Sequence, residues 1–195
     1  MTESMHSMDI LKGLIVSQDS AGLTDYLDSL SPPDTARAIS RLSEVERTQL
    51  LCLIDPADAA DVIEDIPEAQ ALDLVEDMPP PRAAAIMEEL ASDQLVDMLG
   101  EMSNDSSQAI LSEMHHEEAE EARKMLAYDP TCAGGLMISE YLAYSLEDTI
   151  RSVQEDLQKN REEYIDYNVQ YFYVVEINDK LVGVLILHDL LFPPN

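Results

Sequence analysis

Bulky aliphatic side chains recur at every twelfth position over about half of the chain, and this period constrains the fold more than any other feature. The positions are Leu30, Leu42, Ile54, Ile66, Met78, Leu90, Met102, Met114 and Leu126. Alternate intervals resemble each other, so the repeating unit is 24 residues long and has room for two short helices. Helices of eight or nine residues are marginal alone in water, so they must stack on their neighbours.

Helix-start signals follow the repeated aliphatic positions. Proline stands in the first turn, where its missing N–H costs nothing, at Pro32, Pro56 and Pro80. Ser43 with Glu46 forms a capping-box pattern. We therefore predict a mainly α fold, with a right-handed superhelix of short helices over residues 10–128, after a flexible N-terminus at residues 1–9.

The twelve-residue period stops after Tyr128, and the sequence changes character around the glycine pair Gly134-Gly135. Residues rich in β-branched and aromatic types then predict strands at 141–144, 171–175 and 181–187, with a turn at Asn178-Asp179. Ser145 with Asp148 predicts the start of a helix between the first two strands. Residues 129–195 are therefore expected to form a small α+β domain.

The chain is strongly acidic, with 40 Asp and Glu against 11 Lys and Arg and a formal charge of −29. This balance repels phosphate backbones and anionic lipid, so nucleic acid is not an expected partner. Acidic residues also group on helix faces, as at Asp61, Glu64 and Asp65, and a bridging divalent cation would relieve their repulsion. An acidic surface that serves only solubility is the alternative.

The sequence offers no signal for secretion or membrane insertion. The longest apolar stretch, from Leu181 to Leu187, contains Gly183 and is far shorter than the ~20 residues of a spanning helix. Cys52 and Cys132 lie far apart without metal-ligand spacing, which suits a reducing cytosol and predicts that both are packing residues.

Two segments resemble a known family. The segment AYDPTCAGGLMISEY, residues 127–141, closely resembles the junction motif of MgtE-type magnesium transporters. Residues 173–191 resemble the end of a cystathionine β-synthase (CBS) domain, which follows that junction in the family. The repeat region is similar to the family's acidic N-terminal superhelix, and flagellar motor switch proteins have a related helical pattern.

The resemblance implies a cytosolic regulatory region that binds Mg2+ between the superhelix and the CBS domain. It also implies a homodimer through the CBS region and a transmembrane pore domain that closes when intracellular Mg2+ is high. This chain carries a partial first CBS domain and no counterpart of the pore, so we do not expect it to transport ions alone.

The resemblance also selects candidate Mg2+ ligands. Asp93 and Asp97 lie where the family's superhelix carries acidic residues that face the CBS domain, and Glu140 matches the glutamate that ends the junction motif. The neighbours His115 and His116 point apart on a helix, which favours capping or surface roles over a transition-metal site.

Two further functions are disfavoured. CBS domains that hold adenosine nucleotides place a hydroxyl residue three positions after the glycine, but Ile186 follows Gly183 at that spacing, although Asp189 is kept. The sequence shows no Gly-rich phosphate loop, Cys/His ligand cluster or nucleophile motif, so we do not expect an enzyme. The alternative function is an acidic helical scaffold similar to flagellar switch superhelices, without metal sensing.

Overall fold

The computed structural model describes residues 2–161, 164, 167 and 169–191, with side chains from residue 9 onward. The chain divides into two compact units, Met1–Met137 and Ile138–Asn195. The predicted flexible N-terminus includes Met1 and the side chains of residues 2–8, which lie outside this description. Its backbone is helical from Thr2, and its flexibility stays a prediction.

The first unit is a series of short helices with brief connections. They are α1 (Thr2–Ser17), α2 (Ser20–Asp28), α3 (Pro32–Ile39), α4 (Glu44–Leu53), α5 (Pro56–Asp65), α6 (Glu68–Glu76), α7 (Pro80–Met87), α8 (Ser92–Glu101), α9 (Asn104–Glu113) and α10 (His116–Leu126). Alternate helices stack, since α3 packs on α5, α5 on α7 and α7 on α9, while α4 packs on α6 and α8 on α10. The predicted two-helix repeat is confirmed.

The residues that mark the twelve-residue period lie at or just beyond the helix C-termini and point into the core. Seven of them are nearly inaccessible to solvent: Leu42, Ile54, Ile66, Met78, Leu90, Met102 and Met114. Leu30 and Leu126 are partly buried and pack against the same core. The period therefore records where each helix ends and the chain turns inward.

The helix-start signals act as the sequence predicts. Pro32, Pro56 and Pro80 each occupy the first turn of a helix. The Ser43 N–H donates to Glu46 Oε2 at 2.8 Å, and Ser43 Oγ accepts from the Glu46 N–H at 3.4 Å, which completes the capping box.

Three arginine side chains donate hydrogen bonds to backbone carbonyls near helix ends. Arg47 Nε donates to the Leu42 carbonyl at 3.0 Å and Arg82 Nε to the Leu51 carbonyl at 2.9 Å, and Arg123 donates to a carbonyl of α9 at 3.1 Å. A cation at a helix C-terminus also complements the helix dipole. These arginines therefore stabilise the ends of the helices.

The second unit is a small α+β arrangement. Its elements are β1 (Leu142–Ser145), α11 (Ile150–Lys159), β2 (Tyr171–Glu176), β3 (Lys180–Ile186) and α12 (Leu187–Leu191). The sheet order is β1-β2-β3, with β1 parallel to β2 and β2 antiparallel to β3. Leu142, Val153, Phe172 and Leu190 form its core. The predicted order of strand, helix, strand, strand is confirmed.

The turn between β2 and β3 lies where the sequence predicts it. Asn178 and Asp179 have φ of 68° and 56°, a left-handed conformation that these two residue types tolerate better than most. This local chemistry made the hairpin predictable.

Two local predictions were wrong. The helix predicted from Ser145 begins at Ile150, because Thr149 and Ser152 form the capping box while Asp148 accepts the Ser145 N–H within a turn. Cys52 and Cys132 are exposed rather than packed. Cys52 shares its helix with the buried Leu50 and Leu51, but it faces solvent.

Residues 127–137 of the junction segment belong to the first unit, and residues 138–141 belong to the second. The short 3-10 helix of the segment, Ala133–Leu136, packs on α10. A Cβ on Gly134 would lie 2.5 Å from Tyr128 Cδ1, and one on Gly135 would lie 2.5 Å from the Asp129 carbonyl oxygen. Both positions therefore need glycine for close approach. The domain boundary predicted after Tyr128 stays a prediction.

Candidate functional site

Asp93 and Asp97 lie one turn apart on α8 and line the same cleft. The cleft has a volume of about 430 Å³ and is lined by Ile63, Glu64, Ile66, Glu68, Ala71, Asp93, Gln94, Asp97 and Met98. Residues four apart share a helix face, which places the two aspartates together. Stacking of the repeats adds two glutamates from the preceding part of the superhelix.

The packing of α8 determines which way these aspartates point. Leu95, Val96 and Leu99 are buried, whereas both aspartates are exposed. Asp93 Oδ1 accepts the N–H of Gln94 at 2.8 Å. The aspartate carboxylates therefore face solvent at a fixed place on the superhelix.

The charged side chains that line the cleft are negative. Among the described residues that line it, four are acidic and none is lysine or arginine. The pKa of Glu64 is raised, first by partial burial and then by the charges of Asp61, Asp65 and Asp93. A group that holds its proton more tightly beside like charges is one that a bound cation would stabilise in its ionised form.

A second acidic cleft adjoins the first through Glu64. It has a volume of about 270 Å³ and is also lined by Asp28, Asp58, Asp61 and Asp65. Thr24 Oγ1 donates to Asp58 Oδ2 at 2.7 Å. The acidic group that the sequence pattern places on one helix face thus lines a concave surface, where carboxylates from different helices converge.

A third acidic cleft lies between α4 and α6. Glu44, Asp73, Glu76 and Asp77 line it together with Arg47. The pKa of Glu44 is raised, chiefly by a hydrogen bond with Asp77 and by the charge of that residue. Glu44 and Asp77 therefore lie close enough for the Asp77 charge to oppose ionisation of Glu44.

Glu140 belongs to the second unit, whereas Asp93 and Asp97 belong to the first. Glu140 is half-buried, and its Oε1 accepts a hydrogen bond from Ser139 Oγ at 3.3 Å. The structure brings the two aspartates together in one cleft. The metal-binding role of all three residues stays a prediction.

Sequence reasoning missed a compact group formed by Glu88, His115 and Glu118. Within the described part of the chain, it is the one trio of potential ligands whose donor atoms all lie within 4.8 Å of one another. His115 Nδ1 lies 2.8 Å from Glu88 Oε2, and the His115 N–H donates to Glu88 Oε1 at 2.5 Å. His116 instead faces Glu120 at 3.8 Å, so the two histidines point apart as predicted.

Glu88 contributes to a raised pKa in both of its partners. A hydrogen bond to Glu88, and then the Glu88 charge, raise the pKa of His115. Partial burial raises the pKa of Glu118, and the Glu88 charge raises it further. The twelve-residue period gives one indirect sequence signal, because Glu88 and His115 lie twelve positions after Glu76 and Ser103. In both pairs, which are 27 residues apart, the glutamate accepts the backbone N–H of the later residue.

The positions that bear on nucleotide binding lie at the end of β3 and on α12. Ile186 is exposed, and His188 Nδ1 lies 3.3 Å from Asp189 Oδ1. Ile186 supplies no hydroxyl for a phosphate. Over the part of the chain that the structure describes, no helix has the length and apolar character needed to cross a bilayer.

Comparison with known proteins identifies the family. The family model described as the MgtE intracellular N domain matches residues 30–131. The magnesium transporter MgtE of Enterococcus faecalis (strain ATCC 700802 / V583) is 36% identical over 75 residues, which are 38% of this chain and 16% of that protein. The aligned part is therefore a small fraction of the relative.

Two solved structures share the fold. The soluble part of a magnesium transporter matches with a TM-score of 0.81 and 24% identity, over 98% of this chain and 75% of that one. The cytosolic domain of the Mg2+ channel MgtE in complex with ATP matches with a TM-score of 0.80 and 27% identity, over 96% of this chain and 76% of that one. Because the family model also spans more than half of the sequence, this chain belongs to the MgtE intracellular N domain family.

Proposed function

We propose that this chain is a cytosolic magnesium-sensing region of an MgtE-type transporter and that Mg2+ bound at its acidic clefts controls channel gating. The observation that carries the proposal is the cleft lined by Glu64, Glu68, Asp93 and Asp97, in which carboxylates from separate helices converge. Family membership and the similarity to MgtE cytosolic domains support it.

The chemistry of the cleft suits Mg2+. This ion takes oxygen ligands in octahedral geometry, keeps several waters, and commonly uses only one or two protein carboxylates. Asp93 and Asp97 are exposed and surrounded by water-accessible space, so a hydrated ion can bind without full dehydration. Such binding is weak per site, which fits a sensor that must release its ion when the concentration falls.

Gating follows from differential affinity. Without Mg2+, acidic surfaces that face each other repel, and an arrangement that separates them is favoured. Ions bound between such surfaces stabilise the closer arrangement only to the extent that they bind it more tightly. We propose Glu140 as a ligand from the second unit, a homodimer through the CBS region, and a membrane pore domain as the partner whose state responds.

Nucleotide binding is left out of the proposal. The ATP complex is a property of the related channel domain named above. In this chain Ile186 takes the position where a nucleotide-binding CBS domain would offer a hydroxyl, and β3 ends there. A binding role at the clefts, rather than catalysis, is the function that the acidic geometry supports.

Calorimetric titration of Mg2+ tests the proposal. The double variant Asp93→Asn, Asp97→Asn should bind Mg2+ at least ~10-fold more weakly, because it removes both formal charges that α8 offers to the ion. The control Asp105→Asn, Glu121→Gln removes two exposed charges from helices outside the three clefts and should bind like the wild type.

Equal affinity of the wild type and the cleft variant would contradict the proposed site. A wild-type chain that binds no Mg2+ at all would leave the acidic scaffold as the better account. Circular dichroism of each variant shows whether the helical unit is intact, so a loss of binding can be separated from a loss of fold.

A further inference from the structure

The trio of Glu88, His115 and Glu118 lies apart from the three acidic clefts and differs from them in chemistry. Its members come from two places in the superhelix. Glu88 directly follows α7, His115 immediately precedes α10, and Glu118 lies in the first turn of α10. None of the three lines a cleft described above. The trio therefore needs an explanation of its own.

We propose that Glu88, His115 and Glu118 form a binding site for a first-row transition-metal ion of the Zn2+ class, distinct from the Mg2+ sites. The donor set is one imidazole nitrogen and two carboxylate oxygens. Imidazole suits Zn2+, Ni2+ and Cu2+, whereas Mg2+ selects oxygen ligands. Three protein ligands with water in the fourth position make a recognised coordination pattern for zinc.

The geometry is close to what a metal requires. Donor atoms on one tetrahedral Zn2+ lie about 3.4 Å apart, given bond lengths near 2.1 Å. Those of the trio already lie within 4.8 Å of one another. The His115 side chain is 83% exposed and that of Glu88 only 12%, so Glu88 is the fixed ligand, and the histidine ring can close on an ion by a small rotation.

The two carboxylate oxygens of Glu88 contact different groups of His115. Oε1 accepts the backbone N–H of His115, which orients the carboxylate. Oε2 faces His115 Nδ1 at 2.8 Å, so an ion would take the place of the proton between these two atoms. Binding therefore requires Nδ1 without its proton: an imidazolium ring releases that proton, whereas a neutral ring carries its single proton on Nε2. The backbone hydrogen bond stays intact.

An ion held there would join two repeats. It would link the residue after α7 to the start of α10, and α10 packs on α8. A ligand that binds only the folded state raises stability by mass action. We therefore expect Zn2+ to raise the melting temperature of the helical unit by several degrees.

The test is a titration of the full chain with Co2+ and then Zn2+ in excess Mg2+, which occupies the oxygen-only sites. Cys52 and Cys132 are exposed and would also bind these ions, so every variant carries Cys52→Ser and Cys132→Ser. In this background the chain should bind Zn2+, and Co2+ should give the visible absorption of a nitrogen- and oxygen-ligated ion.

His115→Ala should weaken Zn2+ binding at least ~10-fold and abolish the thermal shift, because it removes the one nitrogen ligand. The matched control is His116→Ala, which removes an adjacent and equally exposed histidine and should leave affinity within about twofold of the background. Glu118→Gln should also weaken binding, since it removes a charged ligand at nearly constant shape.

Unchanged Zn2+ affinity in His115→Ala would overturn the proposal, and so would an equal loss in His116→Ala, which would indicate non-specific surface binding. If His115→Ala fails to fold by circular dichroism, Glu118→Gln decides the matter by the same criterion. Because Mg2+ is in excess throughout, failure here leaves the proposed magnesium function standing.

Discussion

Ionised Glu64 is the clearest source of electrostatic destabilisation in the candidate site. It lines both adjoining clefts, and its pKa is raised by partial burial and by Asp61, Asp65 and Asp93. A carboxyl whose pKa is higher in the folded state than in the unfolded state binds its proton more tightly when folded. Its ionisation at neutral pH therefore lowers the stability of the fold.

Glu64→Gln should therefore stabilise the protein when Mg2+ is absent. The destabilisation of the fold by ionised Glu64 develops as the pH rises above the ordinary glutamate pKa near 4.5. It continues to grow until the pH passes the higher pKa that Glu64 has in the folded protein. The variant should melt at a higher temperature than the wild type at pH 7, and the difference should vanish well below pH 4.5. Thermal melts in chelator across this range measure it.

Mg2+ should reduce the destabilisation that ionised Glu64 causes. It should raise the melting temperature of the wild type more than that of Glu64→Gln, because the variant has lost the charge that the ion neutralises. A variant that is less stable than the wild type at pH 7 in chelator would mean that Glu64 stabilises the fold when ionised, contrary to the cleft's proposed electrostatics.

At the scale of the elements, each short helix depends on its neighbours. Ile54 lies just after α4, outside any helix, yet it is only 3% exposed. If the twelve-residue period marks the core, truncation of this residue should cost as much as truncation within a helix. Ile54→Ala should lower the free energy of unfolding by about 2–5 kcal/mol.

Urea unfolding followed by circular dichroism tests this value. The control is Val45→Ala in α4, a position that is 66% exposed and should change stability by no more than about 0.5 kcal/mol. Equal effects of the two variants would contradict the assignment of the repeated positions to the core.

These elements also show why most of the fold could be predicted. The period, the first-turn prolines and the capping box of Ser43 and Glu46 are local signals, and each determines a helix end without reference to the rest of the chain. The start of α11 was misplaced because two capping patterns compete within a few residues, and Ser145 with Asp148 forms a turn instead.

The candidate site was less predictable, because it depends on how the repeats stack. Helical spacing alone places Asp93 and Asp97 on one face. The approach of Glu64 to Asp93, and of Glu88 to His115, joins residues more than two dozen positions apart, and no spacing rule for a single helix reveals it. Cys52 was misassigned since its neighbours are buried while its own side chain faces outward.

At the scale of the whole molecule, 40 acidic residues against 11 basic ones leave a charge that must be neutralised for acidic surfaces to approach each other. Because the basic residues are so outnumbered, cations from solution must supply most of the counter-charge. Under the proposed function, Mg2+ does this at defined carboxylates and thereby changes how the protein is arranged.

Small-angle X-ray scattering of the full chain, in chelator and in saturating Mg2+ at constant ionic strength, measures such a rearrangement. The proposed magnesium-dependent arrangement requires a smaller radius of gyration per chain with Mg2+, and a weaker response in the Asp93→Asn, Asp97→Asn variant. Equal radii in chelator and in Mg2+ would contradict it.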